Sequence, residues 1–187
     1  MAGSKRPARA GTEEEVAGLT RVAGRPSYPF VPKSATYLEA GQFWAIPLSD
    51  GRFGCGRVLD VPREPDPYIL VGRRAFLAGL IDWVADAPPG SDAIAGARLV
   101  AQGFAHIKAI TTTGGSVLGI RPLELDGIVA ARWKSHEGGG TVWVYEGATR
   151  LHPITPEERS LPIISTWGYS VIRDLAEQNF VRRPWQR

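Results

Sequence analysis

Apolar and polar positions give their clearest pattern in residues 41–60. Residues 43–48 form a run of aromatic and aliphatic side chains that suits a pleated, half-buried strand, and residues 53–59 form a second such run. Asp50 and Gly51 lie between the runs, and both tolerate the positive φ that a type I′ turn requires. The pattern therefore predicts a β-hairpin with a type I′ turn.

Two glycines alternate with larger residues in the second strand of this hairpin. Gly54 and Gly56 fall on the same face, because successive residues of a strand point to opposite sides. A face without side chains allows another backbone or a large aromatic ring to approach closely. We expect such an approach here, together with strong bending of the sheet.

The apolar stretch that follows is ambiguous. Residues 68–72 predict a short strand. In residues 75–84, Leu77, Ile81 and Val84 recur at helical spacing, so a helix is an open alternative. We favour a strand for 75–84, because the family resemblance described below implies a β-rich core.

The remaining segments before the C-terminal region read as short strands and turns. The predictions are a helical turn from Ser91 or Asp92 to Gly96, a strand at 103–110, a turn at 112–115 leading into 117–120 as a second hairpin, a strand at 142–145, and loops at 61–67, 136–140 and 151–162.

The clearest helical pattern lies near the C-terminus, at residues 166–180. Ser165 or Thr166 can cap its start, because a side-chain oxygen there accepts an otherwise unpaired amide hydrogen. The predicted apolar face holds Val171, Ile172 and Leu175, and the predicted solvent face holds Asp174, Glu177 and Gln178.

Together these elements predict an α+β fold. Its main part is a predominantly antiparallel, strongly curved β-sheet, for which an SH3-like barrel is one form, followed by the C-terminal α-helix. Residues 1–33 lack sustained apolar periodicity and are predicted to be a flexible or loosely docked arm, with residues 28–31 pinning its end. Residues 34–187 are predicted to form a single globular domain.

The distribution of charge bears on the class of partner. The 187 residues carry a formal net charge of +3, but six of the 22 basic and three of the 19 acidic residues lie in residues 1–36. The remaining 16 basic and 16 acidic residues balance, which disfavours a nucleic-acid footprint. No apolar stretch is long enough to be a membrane span or secretory signal, so we expect a cytoplasmic protein without a membrane partner.

Candidate catalytic chemistry is sparse. The three histidines have no metal-ligand spacing, and Cys55 is the only cysteine, so we expect no metal and no cofactor. A thiolate nucleophile at Cys55 is possible in principle, but a cysteine in an apolar strand is more often a small buried hydrophobe. Glu124 and Asp126 are interpreted as two solvated acids at a strand end rather than a general acid–base pair.

A tryptophan beside charged residues indicates a candidate binding surface. Trp133 precedes a glycine-rich loop and is followed by Lys134, His136 and Glu137. Aromatic and charged residues in loops commonly anchor protein interfaces. Trp133 could therefore be partly exposed, and these four residues are the candidate partner-binding set, although a tryptophan that covers the edge of the core is the favoured interpretation.

The hairpin sequence resembles a known family. Gly41, Phe43, residues 45–48, residues 50–52 and residues 54–58 match the Gly-x-aromatic-x-Ala-Ile-Pro-Leu, Asp-Gly-Arg and Gly-x-Gly-Arg-Val pattern of the bacterial Imm26 family, predicted immunity proteins of polymorphic toxin systems. Residues 76–83, Pro88 and Pro89, residues 103–110 and residues 163–169 are similar to later segments, so the likeness covers about 37–180.

The resemblance implies a non-enzymatic inhibitor that binds and neutralises a toxin protein, and it supplies no binding residues. Two alternatives are an SH3-like module that binds nucleic acid or peptides, and a small hydrolase that uses Cys55.

Overall fold

A computed structural model describes residues 27–63, 66, 74–136 and 140–182. Its strands are β1 (Gln42–Pro47), β2 (Phe53–Asp60), β3 (Ala75–Ala85), β4 (Leu99–His106), β5 (Gly119–Ile120), β6 (Arg132–Lys134), β7 (Trp143–Glu146) and β8 (Thr149–Pro153). Its α-helices are the single turn α1 (Lys108–Thr111) and the longer α2 (Val171–Phe180), and short 3₁₀ helices cover Ala35–Tyr37, Leu123–Asp126 and Pro156–Ser160.

The strands form two antiparallel sheets. The first has the order β4-β3-β2-β1-β5, and the second has the order β6-β7-β8. The expected α+β class with a C-terminal helix is confirmed. The described strands form two open sheets and do not close into a barrel.

The predicted hairpin is present, but its turn differs from the prediction. β1 and β2 pair antiparallel from Phe43 opposite Arg57 to Pro47 opposite Phe53. The Leu48 amide donates to the Arg52 carbonyl, so three residues rather than two span the turn. Gly51 has a φ of 88° and supplies the left-handed residue of a three-residue loop, which replaces the expected type I′ turn.

The ambiguous segment at 75–84 is a strand, as favoured. β3 pairs with β2 on one side and β4 on the other, and both of its faces are covered. A strand buried on both faces is a nearly continuous apolar run, which explains why its periodicity could not be distinguished from that of a helix. The strand predicted at 68–72 lies outside the described residues.

The strand predicted at 103–110 is displaced. β4 begins at Leu99 and ends at His106, and residues 108–111 form α1 instead. The amides of Ile110 and Thr111 both donate to the Ile107 carbonyl, which turns the chain away from the sheet. The second hairpin is also wrong, because β5 pairs with β1 rather than with the preceding strand.

Two other local predictions need correction. Residues 91–96 form consecutive turns rather than a helical segment. Residues 149–153, within and just before the loop predicted at 151–162, form β8 beside β7. The strand predicted at 142–145 is confirmed as β7, one residue later.

The C-terminal helix begins later than predicted. Residues 165–167 run beside β4, with the Trp167 amide donating to the Phe104 carbonyl, so neither Ser165 nor Thr166 caps a helix. α2 starts at Val171. Ile172 and Ala176 form its buried face, whereas Asp174 and Gln178 are exposed as expected.

The prediction that Glu177 faces solvent is wrong. It is buried, and its carboxylate accepts hydrogen bonds from the amide and hydroxyl of Ser49 at 2.7 Å each. The carboxylate therefore satisfies polar groups of the β1–β2 turn and attaches α2 to that turn.

The core lies on both faces of the five-stranded sheet. Neighbouring residues of one strand pack on opposite faces of this sheet: Trp44 packs on the side of α2, and Phe43 packs on the side of the three-stranded sheet. Phe76 and Leu77 divide in the same way. The five-stranded sheet is thus a middle layer, which accounts for the apolar character of its strands.

Residues just before the predicted domain start belong to the folded body. Phe30 exchanges two backbone hydrogen bonds with Val117, at 3.0 and 2.8 Å, and the Tyr28 hydroxyl accepts from the Gln42 amide side chain. The expected pinning by residues 28–31 is therefore present, and contacts with the domain begin before Ser34. No helix within the described residues is long and apolar enough to cross a membrane.

Candidate interaction surface

Trp133 is part of the core. Its side chain stacks on Tyr145 with the ring centroids 4.1 Å apart, meets Phe104 edge to face, and donates from Nε1 to the Gly147 carbonyl at 2.7 Å. The residue is 3% exposed. Of the two interpretations, the favoured core position is confirmed and a partly exposed Trp133 is wrong, because β6 turns this side chain towards the five-stranded sheet.

The other members of the predicted set have different positions. Lys134 is half-buried, and its Nζ donates to the Arg159 carbonyl at 2.7 Å. His136 is exposed just after β6. Glu137 lies outside the described residues. Lys134 and His136 therefore reach the surface, whereas the Trp133 side chain points into the core.

One segment connects this region with the edge of the larger sheet. The Lys134 amide donates to the Pro162 carbonyl, and the Phe104 amide donates to the Ser165 carbonyl. Residues 162–167, which we call the connecting segment, therefore lie beside both β6 and β4. Ile163 in this segment is 41% exposed although it is aliphatic.

An aromatic and cationic cluster follows the connecting segment. Tyr169 is 51% exposed, its ring centroid is 5.2 Å from that of His106, and Lys108 Nζ is 4.8 Å from the Tyr169 ring centroid. The Lys108 amide donates to His106 Nδ1 at 3.1 Å, which orients the imidazole. We call His106, Lys108 and Tyr169, with the adjacent Arg74, the Tyr169 cluster.

The cluster has a positive electrostatic character. Partial burial lowers the pKa of His106, and the positive charges of Arg74 and Lys108 lower it further. His106 is thus biased towards its neutral form by two cations from separate parts of the chain, since Arg74 directly precedes β3 and Lys108 begins α1.

Sequence reasoning missed this cluster because its members come from separate parts of the chain. Lys108 fell within the strand predicted at 103–110, and Tyr169 fell within the helix predicted at 166–180. One local signal for a loop at this place was available in the sequence. Tyr169 lies between Gly168 and Ser170, and both of these residue types are frequent in turns and loops.

A buried ion network lies at the end of the β1–β2 hairpin that is farther from its turn. Arg57 is fully buried, and its guanidinium donates to the Asp126 carboxylate at 3.1 Å and to the Arg121 carbonyl. Arg121 Nε donates to both Asp126 oxygens, at 2.9 and 3.0 Å, and the Gly96 amide donates to one of them at 2.9 Å. The interpretation of Asp126 as a solvated acid is therefore wrong, because its side chain is inaccessible.

The ionised form of Asp126 is favoured in this network. Burial acts to raise the pKa of Asp126, but the hydrogen bonds from Gly96, Arg121 and Arg57 outweigh burial, so its pKa lies below the ordinary value. Glu124, on the same 3₁₀ helix, is exposed. The two acids have different environments and do not form a matched pair.

Cys55 has the surroundings of a buried hydrophobe. The thiol is fully buried, and burial raises its pKa even though Arg57 acts in the opposite direction. A protonated, inaccessible thiol is a poor nucleophile. Within the part of the chain that the structure describes, no three histidine, cysteine or acidic side chains are grouped so that they could hold a metal ion.

Comparison of the chain with protein-family models, with curated proteins and with solved structures finds no match. The Imm26 resemblance therefore rests on the hairpin and the similar segments alone.

Proposed function

We propose that this chain is an immunity protein that binds a partner toxin protein in the cytoplasm and neutralises it without catalysis. The observation that carries the proposal is Tyr169, a residue that is 51% exposed while its ring contacts both His106 and Lys108. An aromatic side chain that is ordered before binding loses little entropy in a complex, and such residues are frequent binding hot spots.

The proposed face follows the connecting segment. It extends from His136 and Lys134 past the exposed Ile163 to Tyr169. An exposed aliphatic residue and an exposed aromatic residue with polar neighbours have the composition of a protein interface. Glu137 belongs to this proposal through its position after His136 in the sequence.

The motif that carries the Imm26 resemblance has structural roles in this chain. Gly41 has a φ of 91°, and Gly56 accommodates the Trp44 ring. Arg57 carries the buried ion network. These residues specify the hairpin, which is consistent with a family motif that defines a fold and leaves the binding face variable.

Strong curvature of the five-stranded sheet is part of the same proposal. The β2–β3 pairing shifts register between Gly54 and Cys55 and between Val58 and Asp60, and the β3–β4 pairing shifts between Leu80 and Ile81. Such irregularities bend a sheet and increase its twist.

Protection from a toxin encoded beside this gene tests the function. Cells that express the toxin domain with the wild-type chain should grow, and the two proteins should copurify. Tyr169→Ala should reduce both protection and copurification. Tyr37→Ala is the matched control, because Tyr37 is 53% exposed and lies on a separate 3₁₀ helix. Failure of the wild-type chain to bind or protect against any product of its gene neighbourhood would overturn the proposal.

A further inference from the structure

We infer that the Tyr169 cluster is the docking site for an acidic segment of the partner protein, in which carboxylate side chains face Lys108 and Arg74 and an apolar side chain packs on the Tyr169 ring. This inference rests on the proposed function and adds the chemical class of the partner segment.

The cations of the cluster are available for an external anion. Among the described residues, neither Lys108 nor Arg74 has a carboxylate within 4.0 Å. Two other surface arginines are paired within the chain, since Arg52 contacts Asp50 and Arg132 contacts Glu158. The charge at the Tyr169 cluster is therefore not neutralised by a neighbouring acidic side chain and is complementary to an acidic ligand.

The cluster is also held in place before any ligand binds. His106 ends β4, and the Ile107 amide donates to the Arg74 carbonyl at 2.9 Å, which joins the end of β4 to the residue before β3. Two residues before Tyr169, Trp167 is buried and its amide donates to the Phe104 carbonyl. Both sides of the cluster are thus anchored to β4, and little ordering is needed on binding.

A protein segment suits the cluster better than a nucleic acid does. Nucleic-acid sites combine a stripe of positive charge with several aromatic platforms. Here a single exposed tyrosine lies beside two cations, and residues 37–187 balance 16 basic against 16 acidic residues. The exposed Ile163 on the connecting segment adds an aliphatic surface of the kind that protein interfaces bury.

The inference is tested with the full chain and a fluorescein-labelled peptide of alternating Glu and Leu residues, in a fluorescence-anisotropy titration. Lys108→Glu and Tyr169→Ala should each weaken binding about tenfold or more. Lys33→Glu and Tyr37→Ala, which alter an exposed lysine and an exposed tyrosine elsewhere, should leave binding within about twofold. Added salt should weaken wild-type binding, because exposed charges are screened.

A Lys/Leu peptide, a single-stranded oligonucleotide and a DNA duplex serve as competing probes. Absence of binding to the Glu/Leu peptide, tighter binding to an oligonucleotide, or equal losses in the control variants would each overturn the inference. If Lys108→Glu still protects cells as the wild type does, the toxin docks elsewhere and the inference fails while the proposed function stands. If the acidic peptide binds at the cluster but no neighbouring gene product does, the proposed function fails instead.

Discussion

Gly56 lies directly opposite Trp44 in the β1–β2 hairpin, and the Trp44 indole occupies the space that a side chain at residue 56 would fill. The predicted close approach at this glycine is confirmed. Gly54 is on the same face, but there a Cβ would lie 3.6 Å from the Phe180 ring, an ordinary van der Waals distance.

The two glycines give the first prediction. Gly56→Ala should destabilise the protein by about 1–3 kcal/mol, because the buried indole cannot move aside without repacking the core. Gly54→Ala, the same change two residues away, should be nearly neutral. Urea denaturation of both variants measures the difference, and equal stabilities would show that the indole can shift at little cost.

The buried ion network gives the second prediction. Asp126→Ala removes the only carboxylate that the described residues bring to Arg57 and should destabilise the protein by about 3–5 kcal/mol, because a buried guanidinium is left uncompensated. Glu124→Ala on the same 3₁₀ helix is the control and should change stability by less than about 0.5 kcal/mol. Chemical denaturation at neutral pH tests both changes.

The same carboxyl predicts a pH dependence. The pKa of Asp126 in the folded protein lies below its ordinary value of 3.8, so its contribution to stability is complete above that value and is lost as the pH falls through the folded pKa. Asp126→Asn should therefore flatten the dependence of unfolding free energy on pH in this acidic range. Glu124→Gln should retain the wild-type slope, and an unchanged slope in Asp126→Asn would contradict the prediction.

The attachment of α2 gives the third prediction. Glu177→Ala removes the acceptor of two hydrogen bonds from the Ser49 amide and hydroxyl, and a hydrogen bond to a charged group contributes about 1.5–3 kcal/mol, so we expect a loss of about 1–3 kcal/mol. The neighbouring, exposed Gln178→Ala should have little effect. Thermal unfolding of the two variants compares them directly, and a wild-type melting temperature for Glu177→Ala would mean that water replaces the carboxylate without loss.

The separation of Trp133 from His136 gives the fourth prediction. Trp133→Ala should cost about 3–5 kcal/mol, as expected for a large ring removed from the core. His136→Ala should leave the unfolding free energy within about 0.5 kcal/mol of the wild type and should weaken partner binding. Denaturation and copurification with the toxin are measured on the same samples. A loss of stability in His136→Ala would remove it from the proposed binding face.

The parts of the fold that the sequence predicted correctly depend on neighbours in the chain. The hairpin follows from two apolar runs around Gly51, and β7 follows from a bulky β-branched and aromatic run. The helical turn at 108–111 and the late start of α2 depend on distant partners, such as the Phe104 carbonyl that accepts from Trp167. Local propensity carries no information about such pairings.

The buried acidic residues were mispredicted for the same reason, because their partners are distant in the sequence. Asp126 and Glu177 were interpreted as solvated because acidic side chains usually are, yet their partners Arg57 and Ser49 are 69 and 128 positions away in the sequence. A clue was present at Arg57, since an arginine between glycine and valine in an apolar strand requires a buried acceptor. The sequence does not indicate which acid supplies it.

The connecting segment makes the two sheets depend on each other. The amides of Lys134 and Phe104 belong to different sheets, yet both donate to carbonyls of residues 162–165. Detachment of this segment breaks backbone hydrogen bonds in both places, so solvent exchange of these two amide hydrogens should follow one shared opening event. Neither sheet is then an excisable module, and the larger sheet cannot be isolated as a minimal fragment without exposing the edge of β4.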